Sequence, residues 1–186
     1  MKKGLIILVA VIIALVLFGV SSYNGLVTKK ENVDAKISEI DVQLKRRSDL
    51  IPNLVNTVKG IMKHEQKVVN SVTEARSALV NAGTTAEKLE ANKKLTEAIN
   101  NLYVVVENYP DLKANTNFIQ LQDEIAGTEN RIAYARSEYN KAAKDYNTSI
   151  KKFPMNIFAN TFGFEKVDYF ETTEAEKENV NVNFED

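Results

Sequence analysis

Ser48-Asp49-Leu50-Ile51-Pro52-Asn53-Leu54 is the stretch on which the helix count turns. Proline inside a helix removes a backbone hydrogen bond and costs about 3 kcal/mol. With Ser48 or Asp49 as cap and Pro52 in a first turn, the stretch reads as a fresh helix start. Against a break, the apolar seam passes through it without slipping: Val33, Ile37, Ile40 and Leu44, then Ile51, Leu54, Val58 and Ile61, then Val68, Val72, Ala75 and Leu79. Steps of four and three are the heptad pattern of packed, coiled-coil-like helices. A kinked continuous helix would keep that phase.

Downstream, Thr85 to Tyr109 carries Leu89, Leu95, Ile99, Leu102 and Val106 at helical spacing. Thr84 or Thr85 caps it, with Glu87 in the first turn. Gly83 ends the helix before it, and Pro110 ends this one. Ala114 to Lys152 carries a third seam from Phe118 through Ile125, Ile132 and Tyr139 to Tyr146, stopped by Pro154. With a break at Pro52 the chain has four helices, roughly 24–48, 50–81, 85–109 and 114–152. Short connections make such neighbours antiparallel. The fold class expected is therefore all-α: an N-terminal transmembrane helix followed by an antiparallel four-helix bundle, with a kinked long helix as the alternative.

Upstream, Gly4 to Val20 contains no charged, amide or hydroxyl side chain. Extended to Tyr23 it reaches 20 residues, about 30 Å as a helix, which is the thickness of a bilayer's hydrocarbon core. Lipid cannot hydrogen-bond a backbone, so the segment must be helical there. A cleaved signal would have a shorter apolar region of about 7–15 residues. Lys2 and Lys3 precede the span, while Lys29 and Lys30 follow it beside Glu31 and Asp34. The positive-inside rule then favours the N-terminus inside and the rest outside. The expectation is a single-pass membrane protein, bound to lipid through residues 4–20.

The domains expected are an anchor (1–22), a helical bundle (23–164) and an acidic tail (165–186). The tail holds eight carboxylates against Lys166 and Lys177 and reads as disordered. Just before it, residues 153–164 hold four phenylalanines and no charge. Phe153, Ile157, Phe158, Phe162 and Phe164 are candidates for a membrane-surface or partner contact, or for a strip folded back over the bundle end.

Catalytic groups are sparse. There is no cysteine, which excludes disulfides and thiolate chemistry. The single histidine, His64, cannot make the two-histidine zinc face of a helix. The glycines are dispersed, with no phosphate loop. No catalytic, cofactor or metal residue is predicted. The net charge of −1 implies no pull toward nucleic acid. The polar residues in or near the seams, Arg46, Arg47, Asp49, Glu65, Glu124, Glu129, Arg131 and Arg136, form a candidate polar core that fixes register. Alternatively, Arg46 and Arg47, with Arg131 or Arg136, line a groove for a peptide or anionic ligand.

Several stretches together resemble the LemA family of bacterial single-pass membrane proteins. They are Tyr23-Asn24-Gly25-Leu26-Val27, residues 41–55, residues 107–115, Gly127-Thr128-Glu129-Asn130-Arg131-Ile132, Ala135-Arg136, Tyr139-Asn140, Tyr146-Asn147, Phe153-Pro154 and Phe162-Gly163-Phe164. The resemblance covers residues 23–164. It implies a four-helix bundle, which tips the reading of Pro52 toward a break. It also implies a short N-terminus outside, opposite to the charge argument. It supplies no catalytic activity. Ser48 stands where many relatives carry histidine, which removes support for a metal site there. The function expected is a non-enzymatic, membrane-anchored adaptor or scaffold for other envelope proteins.

Overall fold

The computed structural model describes residues 2–62 and 64–170. Those residues form helices and connections without a strand. The helices are α1 (Lys2–Lys59), α2 (Gln66–Asn81), α3 (Thr85–Val106), α4 (Pro110–Lys113), α5 (Thr116–Lys151) and α6 (Met155–Phe162).

The break expected at Pro52 does not occur. Pro52 lies inside α1, which runs on to Lys59. The reason is local. Lacking an N–H, Pro52 leaves the carbonyl of Ser48, four residues back, without its helical donor. Arg76 of α2 donates its Nε–H to that carbonyl at 2.8 Å. The cost of the missing bond is thus met from a neighbouring helix, and the seam keeps its phase. Leu44, Ile51, Leu54 and Val58 are all buried. The chain turns later, after Lys59, where Ile61 and Met62 donate their amides to the Val58 carbonyl. The helix expected over 50–81 is therefore split between the end of α1 and α2.

The cap expected at Thr84 is present, whereas α3 stops at Val106, ahead of Tyr109, and Pro110 opens α4. Thr84 caps α3: its side chain accepts from the Glu87 amide, while the Glu87 carboxylate accepts from the amides of Thr84 and Gly83. Asn115 caps α5 by accepting from the Phe118 amide at 3.1 Å. Each cap satisfies donors that a helix start otherwise leaves orphaned.

Cross-helix pairs give the directions. Lys29 meets Asp145 and Arg47 meets Glu129, so α5 runs back along α1. Asp41 accepts from Lys88, and Arg47 donates to Asn92, so α3 runs with α1. The core takes Val33, Ile40 and Leu54 from α1, Val69 and Val72 from α2, Leu95 and Leu102 from α3, and Ile125 and Ile132 from α5. Each is fully or nearly fully buried, contributing about 1.5–3 kcal/mol over exposure. Truncating Leu54 to alanine would cost about 2–5 kcal/mol.

The first five turns of α1 pack on little. Side chains from Leu5 to Leu17 stand exposed. This part of α1 is long and apolar enough to cross a membrane. No turn separates it from the buried positions Leu26 and Val33, because they belong to the same helix.

Candidate functional site

Two constellations stand out. The first is a buried polar knot between α1, α3 and α5. The Arg47 side chain is 3% exposed. Its guanidinium donates to Asn92 Oδ1 at 2.8 Å, to Thr96 Oγ1 at 3.0 Å and to the Glu129 carboxylate. Burial pushes the Arg47 guanidinium down to about 10, opposed by the nearby Tyr103. Burial likewise pushes the Tyr103 hydroxyl up to about 12, opposed by Arg47. Glu129 keeps 41% of its side chain exposed, so water reaches the acidic end of the pair but not the basic end. A cation so enclosed on α1 is tied to both α3 and α5 at once.

Of the eight polar residues singled out in the sequence, only Arg47 and Glu129 meet in this knot. Arg46, Glu124 and Arg131 are exposed. Asp49 pairs with Lys45 on the surface at 2.9 Å. Glu65 sits in the turn before α2 and accepts from the Tyr109 hydroxyl at 3.3 Å. Arg136 is half-buried, beside Asn140 and Phe170. The four arginines therefore do not make one face: Arg47 points inward and is already paired. Asn92, Thr96 and Tyr103, which complete the knot, are polar members of α3 that its apolar seam gives no reason to select.

The second constellation lies at the end of the apolar stretch of α1. α6 packs beside it. Phe158 meets Phe18 edge-on, ring centres 5.8 Å apart, and Phe162 and Phe164 meet Tyr23 at 5.1 and 5.7 Å. Gly19 permits this approach, because a Cβ there would stand 3.3 Å from the Phe158 ring. The strip does fold back, but not completely. Phe153 remains 81%, Ile157 54% and Phe162 52% exposed.

Gly163 ends α6 in the left-handed region, φ +73°, a conformation open to glycine without a steric penalty. It reverses the chain into an extended strap along α5. There the Tyr146 hydroxyl donates to the Glu165 carbonyl at 2.9 Å and the Tyr139 hydroxyl to the Asp168 carbonyl at 2.7 Å. Asn147 donates to the Val167 carbonyl and accepts from its amide; Asn140 does the same with Phe170. The two Tyr-Asn pairs are seven residues apart on α5, about 10.5 Å along a helix. They grip points three residues apart on the strap, about 10 Å of extended chain. The same period of three turns Phe164, Val167 and Phe170 toward the core, while Glu165, Lys166, Asp168 and Tyr169 face out. Residues 165–170, grouped with the tail on composition, are thus held on the helices; 171–186 lie outside the described residues. The clue in the sequence was the repeat Tyr139-Asn140, Tyr146-Asn147.

Near this region, Tyr23, Lys30, Tyr146 and Phe164 line an open cleft of about 540 Å³. Further along α1 and α5, Val42, Tyr134 and Arg131 line another cleft of about 420 Å³, with Val42 62% and Tyr134 67% exposed.

Comparison with known proteins matches residues 36–184 to the family described as the LemA family. The chain is similar to magnetosome protein MamQ 2 of Paramagnetospirillum magneticum, 27% identical over 197 aligned positions, covering 92% of this chain and 72% of that protein. It is similar to magnetosome protein MamQ of Magnetospirillum gryphiswaldense, at 29% identity with 80% and 64% of the two chains covered. It is also similar to protein LemA of Metamycoplasma hominis, at 26% identity, with 86% and 73% covered.

Proposed function

Starting from the premise that the chain belongs to the LemA family, we propose that it is a non-enzymatic, membrane-anchored scaffold for other envelope proteins. In this reading residues 4–20 cross the bacterial inner membrane, and α1, α2, α3 and α5 form an antiparallel four-helix bundle on one side. The observation that carries it is the continuity of α1. One helix is both the exposed apolar span and the central rod of the core. A domain so joined stands at a fixed height and angle above the bilayer, as a platform for partners requires. Lys2 and Lys3 ahead of the span support a platform outside the cytoplasm. The knot at Arg47 serves register, not chemistry.

The partner surface assigned in this reading is the exposed group Val42, Tyr134 and Arg131. Tyrosine and arginine are enriched among the residues that dominate binding energy. Photo-crosslinkers placed at Val42 and Tyr134 in intact membranes should trap a partner that one at Lys93, exposed on α3, does not. Equal, background-level adducts at all three positions would sink the scaffold reading. Protease added to intact cells should clip the C-terminus; protection until lysis would put the domain on the cytoplasmic side.

A further inference from the structure

We propose that α6 is seated in the lipid bilayer itself, with Phe153, Ile157 and Phe162 inserted at the boundary between acyl chains and headgroups. The inference rests on the reading of α1 as a membrane span and adds a second lipid contact to it.

Three observations converge. The first is position. α6 packs against residues 18–23 of α1, through Phe18, Gly19 and Tyr23, while Ala159 and Met155 seat its other side on the adjoining end of the bundle core. In a span of residues 4–23, positions 18–23 are the last five steps, about 8 Å of depth at 1.5 Å per residue. Helices that lie in a membrane surface bury their apolar face about 5–10 Å into that same boundary. The second is the exposed face. Phe153 and Ile157 stand uncovered, Phe162 leaves 52% of its surface free beside Tyr23, and residues 153–164 carry no charge. Their apolar surface continues that of Phe18 and Val20, themselves exposed. Whatever solvates the end of the span meets α6 as well. The third is fixation. Gly163 and the strap gripped by Tyr139, Asn140, Tyr146 and Asn147 hold α6 from behind. Lys151 and Lys152, both exposed, enter the helix from the bundle side, where lysine stems lie along apolar surface with the charge in water.

The sequence contains no tryptophan, so one introduced residue reports alone. The full chain carrying Ile157→Trp or Phe162→Trp is placed in phosphatidylcholine vesicles whose acyl chains are brominated near the headgroup. Leu17→Trp in the span and Val104→Trp on exposed α3 serve as references. The expected result is that Ile157→Trp and Phe162→Trp lose most of their emission in brominated lipid, as Leu17→Trp does, while Val104→Trp is unchanged. If Leu17→Trp is quenched and the two α6 variants are not, the seat in lipid is wrong and the span stands. Red-shifted, acrylamide-accessible emission would then identify water as the neighbour of α6. Blue-shifted, unquenched emission would identify another protein surface, and either overturns the proposal. If Leu17→Trp also escapes quenching, the spanning reading fails and this inference with it.

Discussion

Replacing Arg76 with methionine tests why α1 survives Pro52. Methionine keeps much of the aliphatic stem that arginine packs but removes the donor to the Ser48 carbonyl, now 2.8 Å away. Ser48 is 4% exposed, so little water can take the donor's place. A hydrogen bond from a charged donor contributes about 1.5–3 kcal/mol, and Arg76 is only half-buried, which puts the loss near ~2 kcal/mol. For a chain of this size that lowers the melting temperature by about 4–8 °C. The diagnostic arm is Pro52→Ala. Alanine restores an N–H aimed at the same carbonyl, so Arg76 becomes a second donor to an acceptor already satisfied. In that background Arg76→Met should cost only about 0.5–1 kcal/mol. The coupling, ~1 kcal/mol or more, is read from urea unfolding of the four proteins in detergent by far-UV circular dichroism. Effects that add to within about 0.5 kcal/mol would refute the argument that Arg76 is what lets the helix pass its proline.

Other expectations concern the knot and the strap. Glu129→Ala leaves the Arg47 cation enclosed without its carboxylate and should cost about 2 kcal/mol, held to that by the exposure of Glu129, whereas Arg47→Met removes the enclosed charge and should stay within about 1 kcal/mol of the parent. Thermal unfolding ranks the two, and the reverse order would contradict the reading of the knot. In alkali, Tyr103 keeps its proton to about 12 in the folded protein against 10.0 ordinarily, so its contribution is intact below pH 10 and lost as the pH rises through 12. Arg47, lowered from 12.5 to about 10, has the opposite slope in that range. The readout is therefore the difference between parent and Tyr103→Phe, which should show a shallower loss of stability. Asn147→Ala, and to a lesser degree Asn140→Ala, should free the strap. Each removes two backbone bonds, and about 1.4 kcal/mol of lost grip raises trypsin cleavage after Lys166 roughly tenfold. An unchanged rate would mean the ladder does not hold the strap.

The seams were legible because burial repeats with the helix. Ile40, Leu54, Leu95, Ile132 and Tyr146 are core for the reason that their spacing suggested. Thr84 and Glu87 were legible because a cap is a local object. Pro52 was misread because its remedy comes from Arg76, 28 residues beyond the Ser48 carbonyl that it bonds, and nothing near the proline announces it. Arg46, Glu124 and Arg131 were grouped with Arg47 on charge alone; their side chains project from other faces of the helices. The partner of the Tyr-Asn pairs was missed because an extended segment shows no helical period. Its own repeat of three, at Phe164, Val167 and Phe170, has meaning only against the seven-residue repeat it lies on.

The unbroken passage of α1 from apolar stretch to core also has an angular consequence. A helix advances about 100° and 1.5 Å with each residue. Removing one residue between Tyr23 and Leu26 would scarcely alter the height of the domain. It would, however, swing every surface of the bundle by more than a quarter turn relative to whatever grips the span, and carry Gly19 and Tyr23 out from under α6. The number of residues between anchor and core is in that sense a compass bearing. It sets which side of the molecule faces a neighbour in the same membrane.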